Sequence, residues 1–254
     1  MRSLFALLLV IFSMIDELCC ISTWDRPVFK TRVSNYKMHG DYKTPKPLAN
    51  FCDKKLCPPG VMHIACSDLF WGANCPKPRE GVNMEKVKVK IIDMHNAARH
   101  RLTSSPPLGQ LPMAKPFPEI YWDEELSVVA MRVTNHCNDK AASECVNTPR
   151  YLNVAKVSVT KSRKAASSAE SVLVNSLGAS WFAHSKEFPA AYVMQFPANA
   201  SSKDVSFGTI INKRVTKVGC GMLIKKNSKD STYHLTCLYN EKPKPGQPLY
   251  DLQD

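Results

Sequence analysis

Between Lys86 and Leu102 the chain sets His95, Asn96 and Arg99 among apolar residues, Val87, Ile91, Ala98 and Leu102, that recur at steps of three and four. That spacing predicts a helix, with His95 and Arg99 on its apolar face and the lysines and Arg101 mostly opposite. A catalytic His95 or Arg99 would need further polar groups around it, and the rest of the chain does not supply them. The three polar residues therefore read as buried groups that tie the helix to neighbouring strands, because a buried polar group must find a partner.

The second set of reactive side chains is sulfur. Of ten cysteines, Cys19 and Cys20 lie in an apolar leader, which leaves Cys52, Cys57, Cys66, Cys75, Cys137, Cys145, Cys220 and Cys237. An even number in an exported chain implies disulfides, though eight cysteines permit about 105 pairings. The first four lack the two- to four-residue intervals of structural zinc sites. One modification signal is present, the sequon Asn199-Ala200-Ser201.

These groups need a frame, and the frame begins with a leader. Met1 to about Ser22 has a basic start at Arg2 and an apolar run from Leu4 to Ile15, the pattern of a secretory signal peptide. No later stretch is apolar enough to span a bilayer, so the mature protein is expected to be extracellular. The chain carries a net charge of +12, and without residues 1–22 it has 33 basic against 20 acidic residues. Such a surplus favours anionic surfaces. The basic residues are spread over three runs: Lys161, Arg163 and Lys164; Lys213, Arg214 and Lys217; and Lys225, Lys226 and Lys229. No aromatic platform interleaves with them, which argues against nucleic acid.

Residues 23–50 read as a basic irregular arm and 51–80 as a cysteine-rich cap belonging to the domain that continues over 81–254. After the first helix, the proline-rich stretch 103–118 reads as a loop. Tyr121 to Leu126 is expected to open a second helix, capped by Asp123 and favoured by Glu124 and Glu125 at its positive end. Tyr151 to Val159 alternates as a strand does, Lys161 to Ser168 is expected to be an exposed loop, and Ser171 to Phe188 is helical in pattern. Val205–Ile211, Val218–Ile224 and Thr232–Tyr239 read as strands, with Cys220 and Cys237 placed so that a disulfide could join neighbours. Helices followed by antiparallel strands suggest helix–sheet–helix layering.

At this point a family resemblance is legible. The pieces are His63-Ile-Ala-Cys66, His95-Asn96-Ala-Ala-Arg99, Trp122-Asp123-Glu-Glu-Leu126, Cys145-Val-Asn-Thr148, Trp181-Phe182 with Lys186-Glu187, Val218-Gly-Cys-Gly221, Cys237-Leu-Tyr239 and Gly246-Gln-Pro-Leu-Tyr250. In order and spacing they resemble the CAP superfamily of cysteine-rich secretory, antigen 5 and pathogenesis-related proteins, most of all its arthropod antigen 5-like venom allergen branch. The resemblance implies an α+β fold, a three-layer α-β-α sandwich, and the disulfides Cys52–Cys66, Cys57–Cys145, Cys75–Cys137 and Cys220–Cys237.

Many CAP proteins hold a cleft tetrad of two histidines and two acidic residues able to bind a divalent metal. Carried onto this sequence, the tetrad falls on Ala142, on Ala155 (or Lys156, one residue further), on His184 and on Ser206. A methyl group can neither ligate a metal nor move a proton, so no metal site, no cofactor and no acid–base chemistry are expected there. Ser206 as a nucleophile would have only His184 as its base, with no acid evident to orient it. The reading is a secreted, non-enzymatic CAP-domain protein that acts by binding an extracellular protein or an anionic surface. An extracellular lipid or sterol carrier is the alternative, and a hydrolase the last.

Overall fold

The computed structural model describes residues 49–66, 70–105, 108–140, 145–164 and 168–253. All of them fall within the unit Leu48–Asp254. The expected signal peptide and all but the last two residues of the arm lie outside the described residues, as does Ala142.

The centre is an antiparallel pair, β4 (Lys217–Lys226) and β5 (Asp230–Tyr239), in which Cys220 lies opposite Cys237 and is bonded to it. On the far side of β5, β3 (Ala155–Lys164) pairs antiparallel over its ten residues. Two short strands finish the five-stranded sheet along β4: β1 (Arg79–Gly81), antiparallel, and β2 (Tyr121–Trp122), parallel.

Helix α1 (Lys88–Leu102) and helix α2 (Glu124–Thr134) lie on opposite faces of this sheet. Asp123 caps α2, accepting the Leu126 N–H at 3.0 Å, while its carboxylate also receives Arg150 Nη2 at 2.9 Å and the Tyr151 hydroxyl at 3.1 Å. The sheet admits α2 closely because Gly219 and Gly221 face it. A Cβ at Gly219 would sit 2.2 Å from the Ser127 nitrogen, and one at Gly221 would sit 2.5 Å from the backbone of Met131. Cys220, pointing the other way, joins the core beneath α1.

On that second face α1 is joined by α3 (Ala169–Val172), a π-helical segment (Leu173–Gly178) and α4 (Ala179–Ala183), then by α5 (Ala191–Met194) and α6 (Ser202–Ile211). Ile91, Leu173, Leu177, Trp181 and Ile210 pack there on Val157, Met222 and Leu235. The result is the three-layer α-β-α order implied by the resemblance.

Disulfides join Cys52 to Cys66, Cys57 to Cys145 and Cys75 to Cys137, in addition to the bridge across β4 and β5. The second and third tie the cap to the chain that follows α2. His63 reinforces the join: its Nε2–H donates to the Asn147 carbonyl at 2.7 Å and its Nδ1 accepts the Ala65 N–H at 3.0 Å.

Four expectations need correction. Val205–Ile211 is not a strand but most of α6, which starts at the Ser201 cap, whose Oγ accepts the Asp204 N–H at 3.2 Å. Phe207 to Ile211 are all buried, Thr209 included, so no exposed residue marks the helical period in that stretch. Residues Lys161–Lys164 are strand rather than loop, because β5 supplies their backbone partners although their side chains are exposed. Tyr121 and Trp122 form β2 before α2 begins at Glu124. The basic runs are not spread out either: pairing through β5 sets Arg163 in line with Lys226 and brings the first run beside the third.

Candidate functional site: a cleft at the edge of the sheet

A cavity of about 890 Å³ lies along β3, the edge strand. Residues 156–160 form its floor. Its walls come from Ser180, Ala183 and His184, from Ser202, Lys203 and Ser206 of α6, and from Asn138, Asp139 and Lys140 after α2. Asn138 has a left-handed backbone, φ 55°, in a turn that the neighbouring Cys137 disulfide also holds. The Asn138 amide donates to the Val159 carbonyl at 3.2 Å and accepts the Thr236 hydroxyl at 2.8 Å, which fixes the cleft's corner.

Three of the four positions singled out by the resemblance can be placed. His184 and Ser206 both line the cleft. Ala155 does not: it is buried in the core under the helices, and its neighbour Lys156 faces the cavity.

His184 is held by acids that sequence reasoning missed, which corrects the expectation that none orients it. Its Nε2 lies 2.7 Å from Asp204 Oδ1 and its Nδ1 3.6 Å from Glu187 Oε2. Burial pushes the Asp204 carboxyl up, but hydrogen bonds from Ser201 (2.6 Å) and His184 outweigh it and hold the group below its ordinary value. Asp204 was hidden by the strand reading. As part of a helix it stands beside the Ser201 cap, and the cap geometry points to it.

These carboxylates do not make a metal centre. They sit against opposite nitrogens of one ring, so they cannot converge on a single ion with it. Lys156 brings a cation to the floor. The described part of the cleft thus does not fit a divalent metal.

Nor is Ser206 poised to attack. Its hydroxyl donates to the Ser202 carbonyl at 2.8 Å, one turn back in α6, while the imidazole is engaged by Asp204. A nucleophile requires its base within hydrogen-bond reach, and that bond is absent between these two residues.

His95, Asn96 and Arg99 lie outside the cleft wall and do structural work. His95 is fully buried. Its Nδ1–H donates to the Ile91 carbonyl at 2.7 Å, which leaves Nε2 to accept the Tyr239 hydroxyl at 2.8 Å. Burial lowers its pKa to about 4, so the ring is neutral at pH 7. Asn96 exchanges two hydrogen bonds with the backbone of Ile120, at 3.1 and 2.8 Å. Arg99 donates from Nη1 to the Ile210 carbonyl at 3.3 Å and lies over the Phe117 ring at 4.6 Å, its pKa lowered to about 9 by burial.

Comparisons with known proteins agree with this architecture. A family model described as the cysteine-rich secretory protein family, CAP, matches residues 92–239. Venom allergen-1 of Aedes albopictus is 29% identical over 211 residues, covering 80% of this chain and 79% of that one. Venom allergen 3 of Solenopsis invicta is 28% identical over 218 residues, covering 80% and 90%. The crystal structure of NaASP2 with Zn2+ superposes with a TM-score of 0.52 at 17% identity, covering 71% of this chain and 91% of that one, a likeness of fold alone. With the match to the family model spanning more than half its length, this chain belongs to the CAP family of cysteine-rich secretory proteins.

Proposed function

We propose that this protein is a secreted, non-enzymatic CAP protein that acts by binding an extracellular partner, with a cleft that has given up metal binding. The observation that carries the reading is that His184 and Ser206 line the same cleft without a hydrogen bond between them: Asp204 holds the ring and the Ser206 hydroxyl donates to the Ser202 carbonyl. Four disulfides and relatives named as venom allergens support an extracellular setting. The described residues include no helix long and apolar enough to cross a membrane. Asn199, exposed in the turn before α6, is the proposed glycan acceptor.

The test is hydrolysis. Purified protein is assayed against peptide and ester substrates beside His184→Ala. The expected result is no turnover that depends on His184, and loss of a measurable activity in the variant would overturn the reading.

Lipid carriage is a second reading, supported by the apolar side chains Val157, Val159, Trp181 and Phe207 along the cleft. Saturable binding of a labelled sterol would favour it, and its absence would remove it.

A further inference from the structure

Cations far apart in the chain converge at one end of the sheet, past the point where α2 ends. Strand pairing sets Arg79, Lys225, Thr232 and Ser162 side by side on β1, β4, β5 and β3. Neighbouring strands are about 4.8 Å apart, so this row spans roughly 14 Å. One residue along, Lys226 and Arg163 flank Ser231, and Lys164 stands opposite Asp230. Lys229 lies between the ends of β4 and β5.

Residues in register share a face, and two residues along a strand returns to the same face. Lys225, Thr232, Ser162 and Lys164 therefore stand together on the face that carries α2. That helix crosses the sheet at Gly219 and Gly221 and ends at Thr134. The Ser162 and Thr232 hydroxyls are 3.1 Å apart, so two hydroxyls sit between two lysines.

Much of the neighbouring charge is already engaged. Lys226 pairs with Glu80 at 2.8 Å, Arg163 donates to the Ser176 hydroxyl at 2.6 Å, and Arg79 lies over the Trp71 ring at 4.1 Å. Among the described residues no ion pair holds Lys164, Lys225 or Lys229; of the acids on these strand ends, Glu80 is taken up by Lys226 and Asp230 stands opposite Lys164.

We propose that this strand end binds a sulfated polysaccharide, with the lysines meeting sulfate groups and the hydroxyls meeting the sugar. The inference rests on the reading of the protein as a surface binder and gives that surface a place and a partner chemistry. Linear polyanions fit a row of cations interleaved with hydroxyls. A membrane would call for exposed apolar side chains beside the cations. Of the large exposed ones none belongs to β1, β3, β4 or β5, and Phe70, packed edge-on against Trp71 under Arg79, stands at the β1 end of the row. Single-stranded nucleic acid would call for a run of stacking rings along the row; Tyr233 of β5 is buried, and Trp71 at the β1 end is covered by Arg79.

The test is calorimetric titration of the purified protein with a heparin decasaccharide at physiological salt. The triple variant K164E/K225E/K229E is compared with K54E/K186E/K242E, which makes the same change in net charge at exposed lysines elsewhere. A cation beside an anionic surface is worth roughly fivefold in affinity, so the first variant should lose about a hundredfold. The second should stay within about twofold, since charges beyond about 8 Å are screened. Equal losses in both variants would overturn the proposal, as would no binding by the wild type. So would binding to phosphatidylserine vesicles that the first variant alone abolishes, because the surface would then be read by lipid. If the glutamate triple fails to fold, K164Q/K225Q/K229Q replaces it with the same expectation. Zinc uptake or His184-dependent hydrolysis in the same preparation would overturn the reading of the cleft and leave the strand-end result standing.

Discussion

His184 and Asp204 meet at 2.7 Å, Nε2 to Oδ1, and the contact joins the turn after α4 to α6 across one wall of the cleft. Both side chains are mostly buried, at 14% and 13% exposed, so the pair is shielded from solvent screening. The carboxylate does two things at once: it caps α6 together with Ser201 and it occupies the imidazole. Asp204 orients the imidazole, but the Ser206 hydroxyl donates to the Ser202 carbonyl and shares no hydrogen bond with the ring.

Asp204→Asn should therefore destabilise the fold by about 1–2 kcal/mol at pH 7, the scale of a charge-assisted hydrogen bond. Its pH dependence has a definite sign. The folded carboxyl titrates below its ordinary value, so its contribution is complete above an unfolded value of about 3.9 and is lost as pH falls through the folded value. Urea unfolding of wild type and variant should differ most near neutrality and converge below about pH 4.

His95 makes the opposite kind of demand. Buried, neutral and titrating at about 4, it resists a proton that the unfolded chain accepts at about 6.5. The unfolded state thus binds more protons between these values, and stability falls as pH falls from 6.5 towards 4 by up to about 3 kcal/mol. Burial shifts His63 and His234 in the same direction. Denaturant midpoints should show this slope, and His95→Gln should be less stable at pH 7 yet flatter with pH. An unchanged slope in His95→Gln would assign the titration elsewhere.

Gly219→Ala and Gly221→Ala should each cost about 3 kcal/mol or more, because the new methyl would meet backbone atoms of α2 rather than a movable side chain. Gly81→Ala, where a Cβ meets nothing within 4 Å, is the control and should lie within about 1 kcal/mol of wild type. Thermal melts with the disulfides intact compare the three.

The sequence was most informative where side-chain spacing and burial agree. His95 and Arg99 could be placed on the buried face of α1 because apolar residues recur around them. Asp123 could be recognised as a cap from the acidic residues that follow it. The cysteine pairing, by contrast, came from family resemblance, since counting alone leaves every combination open. The strand reading of Val205–Ile211 failed because α6 is buried along almost all of that stretch, and its error concealed Asp204. Lys161–Lys164 looked like a loop because an edge strand is held by its backbone, which leaves no trace in side-chain polarity. The convergence of Arg163, Lys164, Lys225 and Lys229 depends on strand register, which composition does not encode.

The central claim is that the cleft beside His184 is no longer a metal centre, and zinc titration of the purified protein by calorimetry tests it most directly. The account predicts no stoichiometric uptake in the micromolar range and no change on replacing His184 with alanine. One zinc bound per chain, lost in His184→Ala, would contradict it.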